Sequence, residues 1–149
     1  MAQAIQPADI IIAEDDDDDY SLIEDAFKET EVPHRLFRVK DGEQLLDALL
    51  EPEKTFGAFV HPTLVLLDLN MPRMGGIEVL SKIKSNPLLR KIPVVILTTS
   101  TADEDIARAY DLGVNSFLQK PISFEELVHQ IQVTLQYWIE VVQLPYNRH

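Results

Sequence analysis

Three uninterrupted apolar runs, Ile10–Ala13, Leu64–Leu67 and Val94–Leu97, limit what this chain can fold into. None shows the polar alternation of a strand with one wet face, so each is expected to be covered on both sides. Strands of that kind belong to parallel sheets flanked by helices. Helical spacing duly follows each run. Leu22, Ile23, Ala26 and Phe27 come after the first, Ile77, Val79, Leu80 and Ile83 after Gly75-Gly76, and Ile106, Ala107 and Ala109–Leu112 before a capping Gly113. Two weaker strands complete the pattern. Arg35–Val39 precedes the helical face Leu45, Leu46, Leu49 and Leu50, and Ser116–Gln119 precedes a long last helix opened by Ser123. Pro52, Gly57 and His61-Pro62 read as a loop. Five strands alternating with five helices predict an α/β, doubly wound (βα)5 fold built on a five-stranded parallel sheet. A chain of 149 residues accommodates one such domain, with no internal repeat and no second core.

In an open parallel sheet, ligands bind beyond the carboxyl ends of the strands. The residues that follow the apolar runs are Glu14 and Asp15, then Asp68, then Thr98 and Thr99, and after the fifth strand Lys120-Pro121. Three carboxylates brought to one edge repel each other, and a hard divalent cation relieves that repulsion. Magnesium is the expected one, because it uses few protein oxygens and leaves room for a phosphate oxygen. Lys120 adds a second positive charge beside Asp68. A carboxylate between a metal and a lysine suits phosphoryl transfer, in which positioning and charge neutralisation do most of the work. The acids Asp16 to Asp19 need no ligand, since a helix N-terminus favours them.

Net charge narrows the partners. With 25 acidic against 13 basic residues the chain carries −12 at neutral pH, which repels nucleic-acid phosphates and anionic lipid. Neither nucleic acid nor membrane is an expected partner. No run approaches the roughly 18–20 apolar residues of a membrane span, and the N-terminus lacks a signal-peptide pattern. A soluble cytoplasmic protein is the expectation. The absence of cysteine excludes disulfides and thiolate chemistry, and the four histidines are scattered.

The motifs IIIAEDD, VLLDLNMPRMGG, VVILTTS and FLQKPIS, in this order, closely resemble the response-regulator receiver domain, the CheY-like family. The resemblance runs from about Ile10 to about Gln136 and implies the strand order 2-1-3-4-5. It also implies a sensor histidine kinase as phosphoryl donor and Asp68 as phosphoacceptor. Mg2+ would be bound by Asp15, Asp68 and the backbone carbonyl of Asn70, with Glu14 acting through metal-bound water. Lys120 matches the phosphate-contacting lysine, Thr98 the switch hydroxyl and Phe117 the switch aromatic. Thr98 would turn inward on phosphorylation, with Phe117 following. The Lys120-Pro121 peptide is expected to be cis by the same resemblance. Two residues depart from the pattern. Gly75-Gly76 stands where the family often has Asp-Gly, which removes a helix-start acid, and Phe117 lacks a tyrosine hydroxyl.

The receiver is expected to occupy residues 8–136, leaving 137–149 as an extension of the last helix. Leu127, Ile131, Leu135, Trp138 and Val142 form the expected core face, while Val133, Tyr137, Val141 and Leu144 form a second apolar row. A second row predicts a homodimer contact. The VPH stretch, LTTS and the W-x-E-x-V-x-L-P ending resemble small stand-alone regulators of cyanobacterial phytochrome kinases, which implies a phytochrome partner. The competing reading is an aspartyl phosphatase of the haloacid-dehalogenase-like type. That chemistry needs a second aspartate two residues beyond the nucleophile, where this chain has Asn70. A flavodoxin-like carrier would need a phosphate-binding loop in place of EDDDDDY. A calcium loop starting at Asp15 would need glycine at Tyr20 and glutamate at Ala26.

Overall fold

A computed structural model describes residues 7–100 and 102–145. Its elements, in chain order, are β1 (Ala8–Ala13), α1 (Asp17–Lys28), β2 (His34–Val39), α2 (Gly42–Leu50) and α3 (Pro52–Phe56). They continue with β3 (Pro62–Leu67), α4 (Gly76–Ser85), β4 (Val94–Thr98), α5 (Asp103–Asp111), β5 (Ser116–Gln119) and α6 (Phe124–Leu135). A π-helical turn over Gln136–Val141 follows directly. The strands pair in parallel in the order β2-β1-β3-β4-β5.

The apolar runs fill the middle of this sheet. Every residue of β1 and β4 is buried, as is all of β3 beyond Pro62. Side chains alternate across the sheet. Ile11, Ala13, Val65, Leu67, Val94 and Ile96 pack with α2, α4 and α5 on one face. Ile10, Ile12, Leu64, Leu66, Val95 and Leu97 pack with α1 and α6 on the other. With both faces closed, polar residues can gather only where the strands end.

Two segments depart from the sequence expectation. The stretch after Leu50 forms the one-turn helix α3 rather than loop alone. Pro52 starts it, where a missing N–H costs nothing, and Gly57 ends it in the left-handed region at φ 68°. In the last helix the buried row is Leu127, Ile131, Leu135 and Ile139, not the expected continuation through Trp138 and Val142. The cause is the wider turn: the Val142 N–H donates to the Tyr137 carbonyl at 2.8 Å, an i→i+5 bond. Trp138 lies partly buried at the margin, with the Tyr137 ring edge-on to it.

One side chain fastens the entry to β4. Lys84 Nζ donates to the carbonyls of Arg90 (3.2 Å) and Ile92 (3.0 Å) and to Asn115 Oδ1 (3.1 Å). The same amide oxygen accepts the Val94 N–H at 2.9 Å. Burial pushes the Lys84 pKa down. Lys84→Met keeps the stem and strips these carbonyls of a charged donor. It is expected to lower stability by about 1–3 kcal/mol in urea unfolding, with divalent-cation binding unchanged.

Candidate functional site at the carboxyl edge of the sheet

Backbone pairing carries the acids to one edge. The Glu14 N–H donates to the Val39 carbonyl and the Asp68 N–H to the Ala13 carbonyl, each at 3.0 Å. The β1 and β3 ladders thus extend one residue past the apolar runs. Thr98 is the last residue of β4 and fully buried. The Lys120 N–H donates to the Thr98 carbonyl at 2.8 Å, which continues the β4–β5 ladder to the lysine.

The side chains then converge on Asp68, itself buried. Its Oδ1 accepts the Thr98 hydroxyl at 2.8 Å and the Asn70 N–H at 3.3 Å. Its Oδ2 accepts from Lys120 Nζ at 3.3 Å. Lys120 also donates to Glu14 Oε1 and, at 3.1 Å, to Asp19 Oδ2. Glu14 Oε2 accepts the Asp16 N–H at 3.2 Å. Asp15 is exposed, and among the described residues its carboxylate has no hydrogen-bond or ion-pair partner.

Burial raises the Glu14 pKa to about 7, opposed by the Lys120 hydrogen bond and reinforced by the Asp68 charge. Burial alone would lower the Lys120 pKa, but the Glu14 hydrogen bond and the Asp68 and Glu14 charges drive it upward instead. Lysine is held cationic and the acid pair is under strain. One carboxylate oxygen each of Glu14, Asp15 and Asp68 lies within 4.8 Å of the others. An all-oxygen set with an open carboxylate fits a hard divalent cation.

Glycine shapes the turn beside Asp68. At Gly76 a Cβ would sit 2.6 Å from the Asp68 carbonyl oxygen and 2.6 Å from Leu69 Cα. The Gly76 N–H instead donates to the Leu69 carbonyl at 3.0 Å. Gly75 is the N-cap of α4 and supplies no side-chain bond, as its lack of an acid implies.

The structure brings Glu14, Asp15, Asp68, Thr98 and Lys120 together, with the Asn70 backbone beside them. Phe117 stands apart, half-buried in the α2/α4/α5 layer, with its N–H donating to the Tyr110 hydroxyl at 3.2 Å. Three expectations are corrected. Thr98 needs no inward turn, because its hydroxyl already bonds Asp68. The Lys120-Pro121 peptide is trans, and three carboxylates hold the lysine in place. Asp19 is more than a helix-start acid: it lies in the first turn of α1 and also binds Lys120. Nothing within the run Asp16–Asp19 marks Asp19 out, because capping accounts for each of those acids equally well.

Residues 10–132 match the response regulator receiver domain. The chain belongs to that family. It is 37% identical over 139 residues to the response regulator Rcp1 of Synechocystis sp., covering 93% of this chain and 94% of that protein. It is 43% identical over 139 residues to the probable methanogenesis regulatory protein FilR2 of Methanothrix harundinacea, covering 93% and 88%. Among solved structures, the phosphorylated cyanobacterial phytochrome response regulator RcpA superposes with a TM-score of 0.86 at 36% identity, over 95% of this chain and all of that one. The Mn2+-bound form of Rcp1 gives 0.83 at 36% identity, over 94% of this chain and 100% of the other. A receiver domain thus accounts for nearly all of the described chain, and among the described residues no helix is long and apolar enough to cross a membrane.

Proposed function

We propose that this response regulator accepts a phosphoryl group on Asp68 from the phosphohistidine of a sensor kinase. The observation that carries the reading is the position of Asp68, held by Thr98 on one oxygen and Lys120 on the other beside the open carboxylate of Asp15. A carboxylate oxygen of Asp68 forms a bond to phosphorus as the phosphorus–nitrogen bond breaks, and the electron pair of that bond stays on the imidazole nitrogen. Lys120 holds positive charge next to the acceptor throughout. The Thr98 hydroxyl exchanges its bond from Asp68 to a phosphoryl oxygen. Asp15, Asp68 and the Asn70 carbonyl would hold Mg2+, with Glu14 acting through water. The ion neutralises charge on the phosphoryl oxygens when bound. The same groups assist hydrolysis of the acyl phosphate, so the chain acts on itself and turns over no separate substrate.

A phytochrome is the proposed kinase, and a cytoplasmic setting follows from it. Support comes from RcpA and from RPA3017 of R. palustris, described as a response regulator in red light signaling, which superposes at 0.83 with 30% identity. A homodimer through the chain end is proposed from the exposure of Val133, Tyr137 and Val141, apolar side chains that the domain leaves uncovered. Sedimentation should show a dimer that Tyr137→Glu with Val141→Glu converts to monomer. A monomer for the unaltered chain in both phosphorylation states would dispose of that contact.

The test of the central reading is incubation with a labelled phosphohistidine kinase, with Mg2+ and with a chelator. The expected product is an acid-stable, base-labile acyl phosphate that needs the cation and is absent from Asp68→Asn. Label that persists on the variant would refute Asp68 as acceptor. A kinase that is not light-regulated but donates faster than a phytochrome would refute only the partner.

A further inference from the structure

Arg38 reaches across from β2 to the loop that carries the acid pair, and nothing in the phosphoryl chemistry uses it. Its Nε donates to the Glu14 carbonyl at 3.0 Å. Its Nη1 pairs with Asp17 Oδ1 at 2.8 Å, and its guanidinium lies over the Tyr20 ring, 4.6 Å from the centroid. These three contacts fall before and after Asp15 and Asp16, so one side chain brackets the turn between β1 and α1. The arginine side chain is only 17% exposed.

Asp15 gives this bracket its purpose. Glu14 is fixed by Lys120 and the Asp16 N–H, and Asp68 by Thr98 and Lys120. The Asp15 carboxylate has no such partner among the described residues, so its place depends on the backbone between Glu14 and Asp17. We infer that Arg38 is a positioning residue that fixes the 14–17 turn so that Asp15 stands ready for a divalent cation. Neither Asp15 nor the cation touches Arg38; it acts through the Glu14 carbonyl, Asp17 and Tyr20. The inference rests on the reading that Asp15 and Asp68 hold such an ion.

Charge and position predict opposite signs, which makes the test decisive. Removing a cation near an acid pocket should tighten metal binding by Coulomb attraction alone. Loosening the turn should weaken it, and loss of an outer-shell partner typically costs metal sites about 10–100-fold in affinity. Mn2+ binding to the full chain, followed by electron paramagnetic resonance, separates the two. Arg38→Met is expected to bind Mn2+ about tenfold more weakly, and Arg38→Lys to fall between it and the unaltered chain, since an amine keeps the charge without spanning three partners. Tyr20→Leu, which changes no charge, should also weaken binding. Lys40→Met removes a charge 3.4 Å from the same Asp17 oxygen but no part of the bracket, and should not weaken it.

Urea unfolding without metal shows whether each variant is folded. Should Arg38→Met not fold, the decision passes to Tyr20→Leu and Arg38→Lys. Equal or tighter Mn2+ binding by folded Arg38→Met, or by those two in its place, would overturn the positioning role. Absence of Mn2+ binding by the unaltered chain would instead overturn the metal site, and the role of Arg38 with it.

Discussion

Lys120→Met is expected to lower the stability of the metal-free protein by about 3–5 kcal/mol near pH 8 and to abolish its response to phosphorylation. The lysine side chain is 11% exposed, while those of its partners Glu14 and Asp68 are 2% and 8% exposed. Methionine preserves the stem and leaves two buried carboxylates facing each other without a cation. A pH series distinguishes this cause from simple loss of packing. Glu14 has its folded pKa raised from 4.5 to about 7, so folding favours its protonated form. That contribution is fully present below pH 4.5 and is lost as pH rises through 7. Without Lys120 the lowering influence on Glu14 disappears, so the loss continues to higher pH. The gap between variant and unaltered chain should therefore widen from pH 5 to pH 8 in urea unfolding with a chelator. A gap that does not change with pH would mean that packing, not charge, is what Lys120 supplies.

Gly76→Ala is expected to disable the acceptor through the backbone. A methyl group there would stand 2.6 Å from both the Asp68 carbonyl oxygen and Leu69 Cα, and neither can swing aside as a flexible side chain would. Either α4 moves away from β3 or the turn holding Asp68 moves. Overpacking of this kind costs about 1–3 kcal/mol, and a displacement near 1 Å at a reacting group can slow a reaction about a hundredfold. The initial rate of labelled phosphoryl transfer and the urea midpoint should both fall. Gly75→Ala is the control, because its methyl would meet only the Leu69 carbonyl oxygen at 3.6 Å. A normal transfer rate in Gly76→Ala would show that the turn can yield without disturbing Asp68.

The frame of this molecule was legible in the chain because burial on both faces leaves a local mark. Ile10–Ala13, Leu64–Leu67 and Val94–Leu97 needed no partner to be read as central strands. Their order came only from resemblance, since a run of valines carries no information about its neighbour. The acids, Thr98 and Lys120 were legible as a group because each follows a strand. What escaped depends on reach across the fold. The long side chains of Lys120 and Arg38 reach to Asp19 and to the β1–α1 turn, and no periodicity encodes that direction. The inward Thr98 is a rotamer, and rotamers follow from packing. The five-residue α3 is too short to show an apolar period.

The wide turn at Gln136–Val141 holds more residues per turn than an α-helix would, and the helix ends with it at an extended Val142. Each α-helical residue advances about 100° around the axis, whereas the wider turn advances each of its own residues by less, so their side chains fall behind an α-helical course. Ile139 is steered into the domain, and Tyr137 and Val141 are steered off it. The aspect that the chain end offers to its surroundings is thus set by residue count as much as by residue type. A relative one residue shorter here, identical elsewhere, would turn a different side outward and could choose a different companion with the same side chains.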